Sequence, residues 1–144
     1  YGDIIFEEKI LEKILKSEDE ISVVIDQNWK EYWKIRFNNP LDDAESLLLD
    51  KDGFIQNIGQ KVNNIDDISG QYIGLIKFSK NSIQKILMFY DKMKEESKNG
   101  ENPLNENLSF EKSYMTDFLQ AMINSGFKIK GPGKTSEKKL EPSR

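Results

Sequence analysis

Gly2-Asp3-Ile4-Ile5-Phe6, then Ile10, Leu11, Ile14 and Leu15 at helical spacing, then Ile21-Ser22-Val23-Val24-Ile25-Asp26, is the stretch that sets the fold class. The first apolar run reads as a strand, and the spaced residues read as one face of a helix. Ser17-Glu18-Asp19-Glu20 breaks the pattern, and the β-branched run after it reads as a buried strand ending in a carboxylate. Strand, helix and strand within about 26 residues signal a parallel unit with a right-handed crossover. Ligands in such sheets gather at the carboxyl ends of strands, where Asp26 falls.

Working outward, Trp29, Tyr32, Trp33 and Arg36 fit a short helix closed by Asn38-Asn39-Pro40. The runs from Glu45 to Asp50 and from Phe54 to Ile58 flank Lys51-Asp52-Gly53. That is a hairpin signal, because glycine accepts the positive φ such turns need. Tyr72 to Phe78 forms the longest strand candidate. Ser79 is placed to cap a helix with Ile83, Ile86, Leu87, Tyr90 and Met93 on one face. Ser97 to Ser109 reads as a loop of a dozen residues, a length that is often functional or disordered. Met115, Phe118, Leu119, Met122 and Ile123 mark another amphipathic helix, stopped by Gly126, and Phe127-Lys128-Ile129 suits a last strand.

The 144 residues make about one domain, and the mean hydropathy of −0.66 is on the polar side. The net charge of −4 is uneven. Lys128 to Arg144 holds six basic and two acidic residues, net +4, which leaves −8 on residues 1–127. An acidic body argues against a nucleic-acid partner, since phosphate backbones are met by clustered Lys and Arg. With no cysteine and no histidine, disulfides, thiolate nucleophiles, the usual zinc sites and imidazole acid–base chemistry are all excluded. Any metal is then a hard cation on carboxylates. No apolar run approaches the ~20 residues of a membrane span, and no signal-peptide order opens the chain, so no membrane role and a cytoplasmic location are expected.

Gly131-Pro132-Gly133-Lys134-Thr135-Ser136 has the wrong glycine spacing for a phosphate loop, and a disordered basic tail over 131–144 is the expected reading. The chain opens on Tyr1 and its apolar pattern stops near Gly131, which suggests a truncated or frame-shifted product.

The order of these pieces, with Gly70-Gln71-Tyr72-Ile73-Gly74-Leu75 and Tyr114-Met115-Thr116-Asp117, resembles the nucleotidyltransferase superfamily. It is most similar to the choline-phosphate and 2-aminoethylphosphonate cytidylyltransferases, with sugar-phosphate nucleotidyltransferases as the wider group. The resemblance covers roughly residues 1–130, a partial domain. It implies an incomplete Rossmann-like α/β fold, a mixed but mainly parallel sheet flanked by helices, with a small antiparallel hairpin insertion. It also implies condensation of a nucleoside triphosphate, CTP among the choices, with a phosphate or phosphonate acceptor, releasing pyrophosphate with Mg²⁺.

The resemblance places Tyr1 and Gly2 beside the nucleotide and makes Asp3 the metal ligand near its α-phosphate. Asp26, Trp29, Tyr32 and Arg36 line the acceptor side, and Tyr72, Tyr114 and Asp117 line the pocket. Each has a plainer alternative: Asp3 as a helix cap, the aromatics as packing, and Asp117 as a helix-dipole charge. Gln71 stands where the family commonly has a glutamate. The family's glycine-rich triphosphate loop and its closing Glu-x-Asp segment have no counterpart in the sequence, so an inactive acceptor-side portion is expected. The competing expectation is a noncatalytic α/β interaction module that self-associates through an open sheet edge.

Overall fold

The structure, a computed structural model, describes residues 8–26, 45–61 and 68–131. The elements are α1 (Glu8–Lys16), β1 (Ile21–Asp26), β2 (Glu45–Leu49), β3 (Ile55–Lys61), β4 (Gln71–Phe78), α2 (Ile83–Lys98), α3 (Met115–Asn124) and β5 (Ile129–Lys130). The expected strand over Ile4–Phe6, the Trp29–Arg36 helix and the tail beyond Gly131 lie outside the described residues.

β1 is central, as its β-branched sequence suggests, with every residue from Ile21 to Ile25 buried. It pairs antiparallel with β4 on one side and parallel with β5 on the other. The parallel unit read from the sequence needs the Ile4–Phe6 strand and so lies outside the described residues; among these, the short β1–β5 pair is parallel and the longer β1–β4 pair antiparallel. The physical reason is the route of the chain. After the β2–β3 hairpin it returns through Ile68, bridged in parallel to Leu47, and so enters β4 beside the C-terminal end of β1.

The hairpin forms where its turn residues predict, and Asp50 organises it. Its Oδ1 accepts the N–H groups of Asp52 (2.8 Å) and Phe54 (2.9 Å), while Gly53 takes φ +86°. Lys128 and Lys130 lie 5.3 and 4.6 Å from the centre of the Phe54 ring, and Phe54 bridges antiparallel to Lys130. The two sheets are thus joined at both sides, through Phe54–Lys130 and through Leu47–Ile68.

The N–H of Phe54, above all, holds the Asp50 carboxyl below the usual carboxylate range. The N–H groups of Asp52 and Gly53 and the charge of Lys128 act the same way, against a smaller opposing effect of partial burial. Because the folded-state pKa is depressed, the stabilisation is complete above the ordinary carboxylate pKa and is lost as pH falls through the lowered value. The stability difference between wild type and Asp50→Ala is expected to be constant near neutrality and to shrink in acid. Denaturant titrations at a series of pH values measure it.

One core joins both sheets to α2 and α3. Ile21, Val23, Ile25, Leu47, Ile58, Phe89, Met93, Leu119, Met122 and Ile129 all belong to it. The inward face of α2 is Ile86, Phe89 and Met93, which leaves Leu87 and Tyr90 exposed and shifts the face read from the sequence. Phe89 is drawn inward by edge packing on Phe127 at 5.4 Å and by contact with Phe118 at 5.8 Å. The N-cap is Ser82 in place of the expected Ser79. Ser82 Oγ is held by the Glu20 carbonyl (3.0 Å) and by Ser79 Oγ (2.9 Å), which fixes the helix start against the entry to β1.

α3 ends as Gly126 predicts. At φ +101°, Gly126 donates its N–H to the Ile123 carbonyl and Phe127 donates to that of Met122, the Schellman closure. The last strand falls at Ile129–Lys130, two residues later than the sequence suggests, because Phe127 turns back onto Phe89.

Candidate functional site

Asp26 ends β1 with Gln71 as its Cα partner across the ladder, and Ile25 faces Tyr72 in the same register. Between Val23–Ile76 and Ile25–Tyr72 the β4 strand carries two extra residues, and Gly74 takes φ +91° at that bulge. The Tyr72-Ile73-Gly74-Leu75 motif is therefore a bulge that kinks β4 just before it meets the carboxyl end of β1. Tyr72 is half-buried against the core, and the Gln71 amide donates to the Gly70 carbonyl at 3.3 Å.

Tyr114 and Asp117 stand at the start of α3, Tyr114 as its N-cap and Asp117 in its first turn. Ser82 and Lys85 of α2 bond to Glu20, at the start of β1, and Lys85 also covers the Phe127 ring at 5.3 Å. Further along α2, Tyr90 meets Phe118 at 6.0 Å and Phe110 at 5.4 Å, and Lys94 stands with Tyr114 at one cleft. α2 and α3 are thus antiparallel neighbours.

The cleft there has a volume of about 360 Å³, between α2, residues 102–113 and α3. Its floor is aromatic and its lip carries Tyr114, 63% exposed. The loop of its outer wall is ordered by asparagines. The buried Asn102 amide donates to the Leu108 carbonyl (3.1 Å) and Ser113 Oγ (2.8 Å), and its oxygen accepts the Leu104 N–H (3.0 Å). Asp117 accepts the N–H of Tyr114 at 2.8 Å and the Asn105 amide at 3.4 Å, so its carboxylate holds the start of α3 and the loop together. Asp117 thus sits in the first turn of α3 with its carboxylate engaged as a cap.

The chain is 38% identical over 123 residues to the CTP:phosphoglutamine cytidylyltransferase of Campylobacter jejuni, a match over 85% of this chain. The chain is related to the nucleotidyltransferases. It spans 46% of the length of that cytidylyltransferase, so it corresponds to part of the larger protein. No family model matches the chain, and no solved structure does.

In this nucleotidyltransferase relative, Tyr1, Gly2, Asp3, Trp29, Tyr32 and Arg36 lie outside the described residues, and of Asp26 the strand position alone is described. Tyr72, Tyr114 and Asp117 are placed as above. Among the described residues, no group of three or more acidic side chains comes together as a metal site, and no helix is long and apolar enough to cross a membrane. The sequence reading did not single out Lys94, Phe110 or Glu111 at the cleft. The available signal was the loop of Ser97–Ser109, rich in asparagine and followed at once by Phe110 and Tyr114.

Proposed function

We propose that this chain forms the acceptor side of a cytidylyltransferase, which joins the CMP portion of CTP to a small phosphorylated acceptor and releases pyrophosphate. The observation that carries the reading is the 38% identity over 85% of the chain to an enzyme named for CTP and phosphoglutamine. An acceptor phosphate oxygen attacks the α-phosphorus of CTP, a new P–O bond forms, and the bond to the bridging oxygen of pyrophosphate breaks. Such transfer asks for in-line positioning and charge neutralisation more than for a protein nucleophile, which suits a chain without histidine or cysteine.

In this reading Arg36 grips the acceptor phosphate, since guanidinium matches phosphate in a two-point contact. Asp26, Trp29 and Tyr72 position the acceptor at the carboxyl end of β1, and Tyr1 and Gly2 border the nucleotide. Mg²⁺ is the proposed charge-neutralising partner of the triphosphate, with Asp3 as its ligand from this chain.

Calorimetric titration with phosphoglutamine, phosphocholine and 2-aminoethylphosphonate tests the reading, together with a pyrophosphate-release assay in CTP and Mg²⁺. Saturable binding of at least one acceptor is expected. Pyrophosphate release from these 144 residues alone is not expected, because the glycine-rich triphosphate loop has no counterpart among them. A chain folded by circular dichroism that binds none of the acceptors contradicts the proposal.

A further inference from the structure

Helix α2 turns Ile86, Phe89 and Met93 into the core, yet the face it turns away from the core is not uniformly polar. Leu87 is 50% exposed and Met88 70%, the highest value for a large apolar side chain among the described residues. At about 100° per residue these two share an outward stripe with Gln84, Asp91 and Glu95, all exposed. Lys80 extends the stripe by one turn. It lies exposed in the turn that leads into the helix, which the Ser82 N–H closes on the Ser79 carbonyl at 3.1 Å.

Two apolar side chains are too small a patch to define a partner by themselves. The order of the stripe around them does so. From the midpoint between Leu87 and Met88, the base Lys80 stands roughly 11 Å toward one end and the acid Glu95 roughly 11 Å toward the other, at the helical rise. Gln84 and Asp91 stand roughly 5 Å to either side. A second copy of the helix, laid antiparallel across a two-fold axis at that midpoint, sets Lys80 against the partner's Glu95 and Gln84 against the partner's Asp91. Leu87 then meets the partner's Met88. Each pair occurs twice, and no like charges oppose each other along the stripe. A two-fold contact needs a surface that is its own complement, a demand no foreign partner makes. Among the described residues Lys80 takes part in no ion pair, and Glu95 has a 3.5 Å contact with Lys98 in which both side chains stay largely exposed.

We infer that α2 is a homodimer contact, two copies of this chain packing antiparallel along Lys80–Glu95 about an axis at Leu87–Met88. With one helix from each copy, the contact is smaller than the ~800 Å² per partner of a standard interface. The dissociation constant is accordingly on the order of 100 µM, and dilute chain is monomeric. None of these residues belongs to the proposed acceptor side, so the contact is independent of the transferase reading.

Sedimentation equilibrium of the whole chain, from about 10 µM to about 1 mM, tests the contact and is expected to show the mass rising toward twice that of the monomer. Met88→Glu, which puts two carboxylates at the apolar midpoint, should weaken association at least about tenfold. Lys80→Glu and Glu95→Lys should each weaken it about fivefold, the scale of two exposed ion pairs. The double reversal Lys80→Glu/Glu95→Lys should restore the wild-type value, because opposite charges again face across the axis. All three positions are exposed, so the variants are expected to fold, as circular dichroism checks. A chain that stays monomeric throughout, that dimerises undiminished as Met88→Glu, or whose double reversal is no better than the single variants, overturns the inference.

Discussion

Gly59→Ala is expected to destabilise the chain by about 2–5 kcal/mol, combining left-handed strain with overpacking. Gly59 lies inside β3 at φ +77°, where an L side chain is strained whatever the space around it. There is also no space, since an added Cβ would stand 2.8 Å from Cβ and 2.9 Å from Oγ1 of Thr116 on α3. The clash is with the root of a buried side chain, so no rotamer of Thr116 relieves it. Thr116→Ser is accordingly expected not to rescue Gly59→Ala, whereas Thr116→Gly should recover the contact part and leave the backbone part. Urea denaturation of the three single variants and the two doubles separates the contributions. The same contact seats α3 on β3, with the Ile58 N–H donating to Gln120 at 2.8 Å. Gly59→Ala should therefore also disturb Tyr114 and the cleft, two residues from the clash.

Leu119→Ala is expected to cost about 2–5 kcal/mol, the range for emptying a fully buried leucine site. Leu119 is 0% exposed and lies in the cluster that ties α3 to Ile58 and to β1. Both sheets and the neighbouring helix contribute to that cluster, so the void has few ways to collapse. A control on the opposite extreme is Met88→Ala, a residue 70% exposed on α2, expected to change stability by less than about 0.5 kcal/mol. Thermal unfolding of the pair measures the contrast, and equal shifts would contradict the placement of the core.

The elements that local chemistry dictates were legible in the sequence. Asp50-Lys51-Asp52-Gly53 carries its own turn geometry, the 3.6-residue spacing of α2 and α3 reports their inner faces to within a residue or two, and Gly126 marks a helix end because little else accepts its φ. Features decided by distant partners were not legible. Nothing local to Tyr72–Phe78 states that it pairs antiparallel with β1, because the pairing is set by where the chain emerges after the hairpin. Ser79 and Ser82 are equivalent as caps until the Glu20 carbonyl chooses between them. Phe89 replaces Leu87 inside because Phe118 and Phe127, some 30 to 40 residues on, are there to receive it.

The candidate site divides in the same way. Asp26 ends a strand, as the β-branched run before it suggests, whereas the bulge at Gly74 inside the Tyr72–Phe78 strand was not legible, because it exists only in the pairing with β1. Tyr114 and Asp117 were read as a pair. The structure separates their work, with Tyr114 open on the cleft and Asp117 engaged by Asn105 and the Tyr114 N–H. Lys94, Phe110 and Glu111 escaped notice because only the antiparallel packing of α2 on α3 brings them together.

The most direct test of the acceptor-side assignment is an amide-resolved titration of the chain with its best phosphorylated acceptor, repeated with Arg36→Ala. The account predicts saturable shifts at Asp26, Gln71, Tyr72 and Tyr114. It also predicts a loss of affinity of at least about tenfold in the variant, the scale of a charge-assisted phosphate contact. Binding that leaves the Asp26 end of the sheet unshifted, or that survives Arg36→Ala undiminished, would contradict it.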